Sequence, residues 1–291
     1  MQILLQLIAS GVAVGMIYAA IAFGYQLTFA TSKTLNFGQG EALMLGALVG
    51  LSLTSWLGYW AMLPLVLLFG FVQGAIVERL GVRPSIKIKS EFGWIMATIA
   101  LGIIFKNLAE IVWGREALPF PSPLPTDAYV LGGVRILPVE LLIVVGALGM
   151  MLAVEFFNRK SIWGKAVRAT ANDRDAAGLM GINTSQIITL SYAVSSMTAA
   201  LAGVLVAPRI TAIDANLGAV LGLKAFAVAI IGGLESGLGV IVGGIILGVA
   251  ETMTGYYIST GYKDVPGLVL LLLVLMVKPS GLFGKATIKK V

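Results

Sequence analysis

Stretches of about twenty mostly apolar residues recur along this chain from end to end, at a length that matches the hydrocarbon core of a bilayer. They lie at residues 3–29, 36–54, 60–78, 93–113, 138–157, 184–207, 218–234, 238–257 and 265–278. In hydrocarbon a backbone must satisfy its own N–H and C=O groups, so such continuous runs are read as helices. A soluble fold of 291 residues could not cover a chain that is 58% hydrophobic and 12% charged. The expected fold class is an all-α polytopic membrane protein with about eight to nine transmembrane helices, forming a single domain over residues 1–291. The first run begins directly after Met1 and Gln2 with no basic stretch before it, so residues 3–29 are read as a retained span rather than a cleaved signal.

Many of the 36 glycines fall inside the apolar runs, where they permit close helix–helix approach. The pairs Gly239/Gly243 and Gly244/Gly248 have the small-xxx-small spacing, and the Gly232–Gly239 stretch must make a tight turn between two runs. There is no cysteine and no histidine, which excludes disulfides, Cys/His zinc sites and histidine acid–base catalysis. No metal site and no catalytic residue is expected.

The net charge of +6 follows topology rather than a nucleic-acid partner. With the amino terminus outside and strict alternation, the carboxyl terminus is cytoplasmic and 14 of the 20 basic residues fall in cytoplasmic segments. They include Lys33, Arg79, Arg83, Lys87, Lys89, Arg159, Lys160, Lys285, Lys289 and Lys290. Arg115, Arg135, Arg209 and Lys263 remain outside, as the positive-inside rule requires. Prolines 119, 121, 123 and 125 and the Gly132-Gly133 pair predict an ordered hairpin in the outer loop Arg115–Pro138. Trp113, Tyr129, Tyr256, Tyr257 and Tyr262 fit an interfacial aromatic belt at the outer ends.

Polar residues inside or beside the runs are the candidates for function. Leu35-Asn36-Phe37-Gly38-Gln39-Gly40-Glu41 opens a span with two glycines and three polar side chains in seven positions. It reads either as a broken or re-entrant segment lining a transport path through Asn36, Gln39 and Glu41, or as a helix start capped by Asn36. Lys106 and Glu110 are spaced to pair along one helix. Lys224 and Glu251 are candidates for a pair across neighbouring spans. Asn183, followed by Gln186, has the pattern of a capping box.

Ser161–Asn183 (SIWGKAVRATANDRDAAGLMGIN) is a water-exposed amphipathic stretch. Lys165, Arg168, Asn172 and Asp175 recur at three- and four-residue steps on one face of a short helix, and alanines thin its other faces. A membrane protein needs such a helix where a cytoplasmic partner pushes on it. Gly284-Lys285-Ala286 lacks the Ser or Thr and the preceding glycine of a phosphate-binding loop, so the chain is not expected to hydrolyse ATP itself.

Four blocks together resemble the LivH-type permease subunit of branched-chain amino-acid ABC importers. They are LNFGQGE at Leu35–Glu41, GKAVRATANDRDAAGLMGIN at Gly164–Asn183, AFAVAIIGGLESGLGVIVGG at Ala225–Gly244 and KPSGLFG at Lys278–Gly284. The resemblance implies a bacterial inner-membrane location, a LivM-like second permease subunit, two cytoplasmic ABC ATPases and a periplasmic substrate-binding protein. ATP and Mg would sit on the ATPases and no cofactor on this chain. It also implies that the 161–182 segment is the coupling helix seated on an ATPase, with contacts at Lys165, Arg168, Asn172, Arg174 and Asp175, and Gly178 and Gly181 near its end. Branched-chain or related small amino acids are the expected cargo. The rival readings are a self-contained secondary transporter and an ABC permease for another small solute such as an amide, carboxylate or sugar.

Overall fold

The computed structural model describes residues 2–88, 90, 92–131, 133–210 and 212–284. Lys89, Lys285, Lys289 and Lys290, expected on the cytoplasmic side, lie outside the described residues. The helices are α1 (Gln2–Ser32), α2 (Gln39–Leu57), α3 (Tyr59–Val77), α4 (Arg83–Lys87), α5 (Gly93–Trp113), α6 (Pro138–Lys160), α7 (Ile162–Asn172), α8 (Arg174–Leu179), α9 (Thr184–Ile210), α10 (Leu217–Gly232), α11 (Gly237–Tyr257) and α12 (Val265–Val277). Eight helical stretches among the described residues are long and apolar enough to cross a membrane. The expected span at 218–234 forms a short apolar helix. As α10 it has 16 residues, about 24 Å of helix against a hydrocarbon core of about 30 Å.

Two helices make the centre. α1 and α9 are apolar around most of their circumference and buried along most of their length, as helices without a water-facing side should be. α1 packs on α11, α9, α10 and α6, while α9 packs on α3, α2 and α6. α5 and α12 lie on the flanks, α5 burying Thr98, Gly102 and Ala109, and α12 only Gly267.

The glycine spacing in α11 does what its pattern promised. A Cβ on Gly244 would lie 2.5 Å from the Gly15 carbonyl oxygen, and one on Gly248 would lie 2.3 Å from the Gly15 nitrogen. Gly239 and Gly243 face Gly232 in the same way, which closes the tight turn between α10 and α11. Such backbone contact supplies the dispersion attraction that hydrophobicity cannot supply between helices in lipid.

Two clusters of charged groups inside the bundle are paired. Lys224 on α10 lies 3.0 Å from Glu251 on α11 and 2.6 Å from Asp264, and the Tyr18 hydroxyl donates to Glu251 at 2.7 Å. The expected Lys224–Glu251 pair therefore forms, and it ties α1, α10 and α11 to the start of α12. Glu140 accepts from Ser10 at 2.8 Å and pairs with Arg209 at 3.3 Å. The expected Lys106–Glu110 pair does not form. Lys106 donates to Asn216 at 2.8 Å, and Glu110 pairs with Arg115 at 3.0 Å. An i,i+4 spacing permits a pair, but partners from loops compete for both ends.

Between α3 and α4 the helix widens to a π stretch at Glu78–Val82, with the Arg83 N–H donating to the Glu78 carbonyl. Five-residue spacing stacks Glu78 beneath Arg83, and the guanidinium grips the buried carboxylate at 3.0 and 2.9 Å. Thr189 of α9 bonds to both. A buried carboxylate thus gains all the partners it needs at the rim of the membrane.

The expected loop hairpin is present, as β2 (Tyr129–Leu131) and β3 (Val134–Ile136) with Val130 opposite Arg135. Gly133 takes φ of +84° at its turn, a conformation that favours glycine. Upstream, β1 (Leu118–Pro119) pairs with β4 (Ala212–Ile213), and Phe120 is buried beneath the Tyr59 ring. Gln6 bonds to both backbone polar groups of Arg135. At the other end of the bundle Lys33 pairs with Glu235, and Asn172 faces the same small cavity as both.

Gly248→Leu is expected to wedge α1 away from α11 and to destabilise the bundle by about 1–3 kcal/mol, the usual penalty of overpacking. Gly149→Leu on α6, where a Cβ meets nothing within 4 Å, should be neutral. Thermal unfolding of the two variants in the same detergent tests the difference, and equal melting temperatures would contradict it.

Candidate functional site

The first candidate is the helix break after α1. The chain turns at Lys33 (φ 55°) and stays unwound through Gly38. Its polar groups are met by neighbours. Thr34 shares a 2.7 Å hydrogen bond with the Tyr192 hydroxyl, the Phe37 N–H donates to Thr98 at 3.3 Å, and the Gly38 N–H donates to Asn36 Oδ1 at 3.1 Å. Asn36 Nδ2 reaches Gln39 Oε1 and Ser196 Oγ. Gln39 Nε2 donates to the Ser195 carbonyl at 2.9 Å, and the Ser195 hydroxyl lies between Gln39 Oε1 at 3.0 Å and the Gly24 carbonyl at 2.8 Å. Asn36 and Gln39 have no exposed surface in this chain. They staple α1, α2 and α9 together.

Glu41, by contrast, is half-buried and points to α5, where a Cβ on Gly102 would meet its carboxylate at 3.3 Å. Gly40 touches the backbone of Gly218. α10 starts at that level too, its first N–H groups received by Asp214 Oδ1 at 2.9 and 3.0 Å. The beginnings of α2 and α10, reached from opposite ends of the bundle, therefore meet inside it.

The second candidate is the amphipathic arm. The expected single helix over 161–182 is two helices. Ser161 caps α7 by accepting from the Trp163 N–H at 3.2 Å. Asp173 leaves helical geometry (φ −153°, ψ 110°), and its Oδ1 receives the N–H groups of Asp175 and Ala176, both at 2.9 Å. An aspartate is a strong N-cap, so it ends α7 and starts α8. Gly181 closes α8 at φ +84°, with Ile182 N–H donating to the Ala177 carbonyl and Gly181 N–H to that of Gly178. That is the Schellman pattern, which favours glycine at its left-handed position. Asn183 then accepts from the Gln186 N–H at 3.2 Å and opens α9, the forward half of the expected capping box.

The break changes the face expected of this segment. Lys165, Arg168 and Asn172 stay together on α7, whereas Arg174 and Asp175 belong to α8. All five are exposed, as are Gly178 and Gly181. Arg168 also reaches back to the Arg159 carbonyl at the end of α6 at 3.4 Å. Gly164 lies against the Asn158 backbone, so α7 turns sharply off α6 and rests on α1 and α9.

A family model described as the permease component of branched-chain amino acid transport systems matches residues 7–277. The chain belongs to this permease family. The LivH permease protein of the high-affinity branched-chain amino acid transport system of Salmonella typhimurium is 34% identical over 99% of this chain and 97% of its own. LivH of Escherichia coli K12 is 34% identical over the same shares. BraD of Pseudomonas aeruginosa is 32% identical over 99% and 98%. The galactofuranose transporter permease YtfT of Escherichia coli is 28% identical over 74% of this chain and 60% of its own.

Two features of this permease escape a reading of the sequence alone. Ser195, Ser196 and Tyr192 receive the unwound segment from about 160 residues away. Their only local sign is a run of hydroxyls within an apolar stretch. Leu179 and Met180 stand 90% and 83% exposed at the tip of the arm. The sign there is an apolar pair between Gly178 and Gly181 in a water-exposed stretch.

Asp173→Ala is expected to cost α8 about 1 kcal/mol, the usual worth of a cap. Amide exchange across 174–182 should quicken while the melting temperature of the bundle stays unchanged. Unaltered exchange would show that α8 does not need its cap.

Proposed function

We propose that this permease is the translocation subunit of an ATP-driven importer for branched-chain or related small amino acids. The observation that carries the reading is the jointed arm. It presents charged residues and an apolar tip away from the bundle, while its root rests on α1, α6 and α9. A subunit that makes its own gradient-driven transport has no use for such a projection. A subunit moved by a separate motor needs one.

In this reading two cytoplasmic ABC ATPases carry ATP and Mg, and one of them receives the arm. Leu179 and Met180 enter an apolar groove as anchors, ringed by Lys165, Arg168, Asn172, Arg174 and Asp175. A LivM-like subunit completes the pathway, and a periplasmic binding protein delivers the amino acid at the hairpin end. The positive-inside bias orients the chain in the inner membrane of a bacterium with the arm and Lys33 in the cytoplasm and Gln6 outside. ATP-driven closure of the motors pushes α7 against the ends of α1, α6 and α9. Asn36 and Gln39 hold the start of α2 while the pathway opens and closes, and Glu41 lies on its open side. The names of the relatives favour branched-chain amino acids, while YtfT is named for a sugar.

Uptake into proteoliposomes is the test. With the motors and a loaded binding protein, leucine should enter only when ATP is present, and galactofuranose should not. Uptake by this chain alone on an ion gradient would overturn the importer reading. Leu179→Asp with Met180→Asp should leave the permease inserted and folded but abolish recovery of the motors with it, and Arg168→Glu should weaken that recovery. Because the chain has no cysteine, a single cysteine at Arg174 reports orientation cleanly. A membrane-impermeant maleimide should reach it only from the cytoplasmic side, and labelling in intact cells would invert the topology.

A further inference from the structure

Along α5, Trp94, Thr98, Gly102 and Lys106 form one stripe at four-residue steps facing the start of α2. At its foot Phe37 stacks on Trp94 with centroids 6.1 Å apart and packs on Phe226 of α10 at 5.4 Å. All three rings are partly exposed. One level up, the Glu41 carboxylate lies against Gly102. One turn further, Lys106 donates to Asn216 at the start of α10. Among the described residues neither Glu41 nor Lys106 forms an ion pair.

These groups sit partway along helices that cross the membrane, on a flank where Asn107 is exposed as well. Lipid cannot cover them cheaply, because an unpaired ammonium or carboxylate in hydrocarbon is expensive. Water or substrate within a pathway can. Lys106 keeps two N–H donors beyond its bond to Asn216, and the Glu41 carboxylate keeps acceptor capacity. One helical turn, about 5–6 Å, separates the two levels. Long side chains at both levels leave room to set the about 8 Å that two hydrogen bonds of about 2.8 Å and the ammonium–carboxylate spacing of an α-amino acid need.

We propose that Glu41 and Lys106 are the two poles that receive a zwitterionic amino acid on the pathway. Glu41 takes the α-ammonium, Lys106 takes the α-carboxylate, and the apolar side chain rests toward Phe37, Trp94 and Phe226. This rests on the importer reading and gives it a chemical basis for passing amino acids. A neutral sugar offers hydroxyls but no charges to match the two poles, and a solute with one charge meets one favourable and one unfavourable pole.

The test uses the assembled importer in proteoliposomes, reading leucine uptake and ATP hydrolysis stimulated by the loaded binding protein. Glu41→Gln and Lys106→Met are each expected to lower uptake about tenfold, the equivalent of about 1.4 kcal/mol, while stimulated hydrolysis stays within about twofold of the unaltered complex. Glu41→Asp should keep more uptake than Glu41→Gln. Asn216→Ala removes the partner of Lys106 but leaves its charge, and should keep most of the uptake. Unchanged uptake in Glu41→Gln and Lys106→Met overturns the proposal, as does an Asn216→Ala loss equal to that of Lys106→Met. ATP-dependent uptake by the unaltered complex in the same vesicles separates these failures from failure of the importer reading.

Discussion

Every backbone polar group placed in hydrocarbon must find its partner within the protein, and the organisation of this permease follows from how it meets that demand at one difficult place. The chain abandons helix between Lys33 and Gln39, inside the bundle. Thr98 of α5 receives the Phe37 N–H and Asn36 that of Gly38, while Tyr192, Ser195 and Ser196 of α9 hold the side chains of Thr34, Gln39 and Asn36. α9 is buried nearly throughout because its hydroxyls are needed there. α2 can begin in the interior because of them, and its first residues reach a level where α10 also begins.

Close packing does the remaining work. α1 meets α11 through glycines on both sides, and two clusters of charged groups are answered across helices. The Lys224–Glu251–Asp264 cluster and the Arg209–Glu140 pair each join elements far apart in the chain. A bundle held this way has few soft seams on the side of α1 and α11. Its open flanks are α5 and α12, which bury three residues and one.

What was legible in the sequence is what short-range chemistry decides. The long apolar runs became helices, the glycine pairs became contacts, Gly132-Gly133 marked a hairpin, and Asn183 marked the start of α9. The polar block at Asn36–Glu41 stood out because hydrocarbon tolerates it poorly. Less legible was everything that depends on a distant partner. Lys106 lies at pairing distance from Glu110 by spacing, yet Asn216 holds it from 110 residues away. Ser195 carries only the weak mark of a run of hydroxyls in an apolar stretch, which does not name its partner. Asp173 is an intermediate case. A capping residue within an amphipathic stretch announces a joint, but alanines on both sides favour continuous helix, and only the geometry decides between them.

α1 touches both surfaces of the bundle. It meets the hairpin through Gln6, it bears on Glu235 through Lys33, and α7 rests against it. Its 31 residues form one unbroken helix, about 46 Å long, with no proline or π stretch to absorb a bend. A strut of that kind does not store displacement along its axis. Whatever shift is imposed where α7 leans on it reappears, almost undiminished, at the mouth on the far side, so the two openings of such a subunit cannot be set independently of one another.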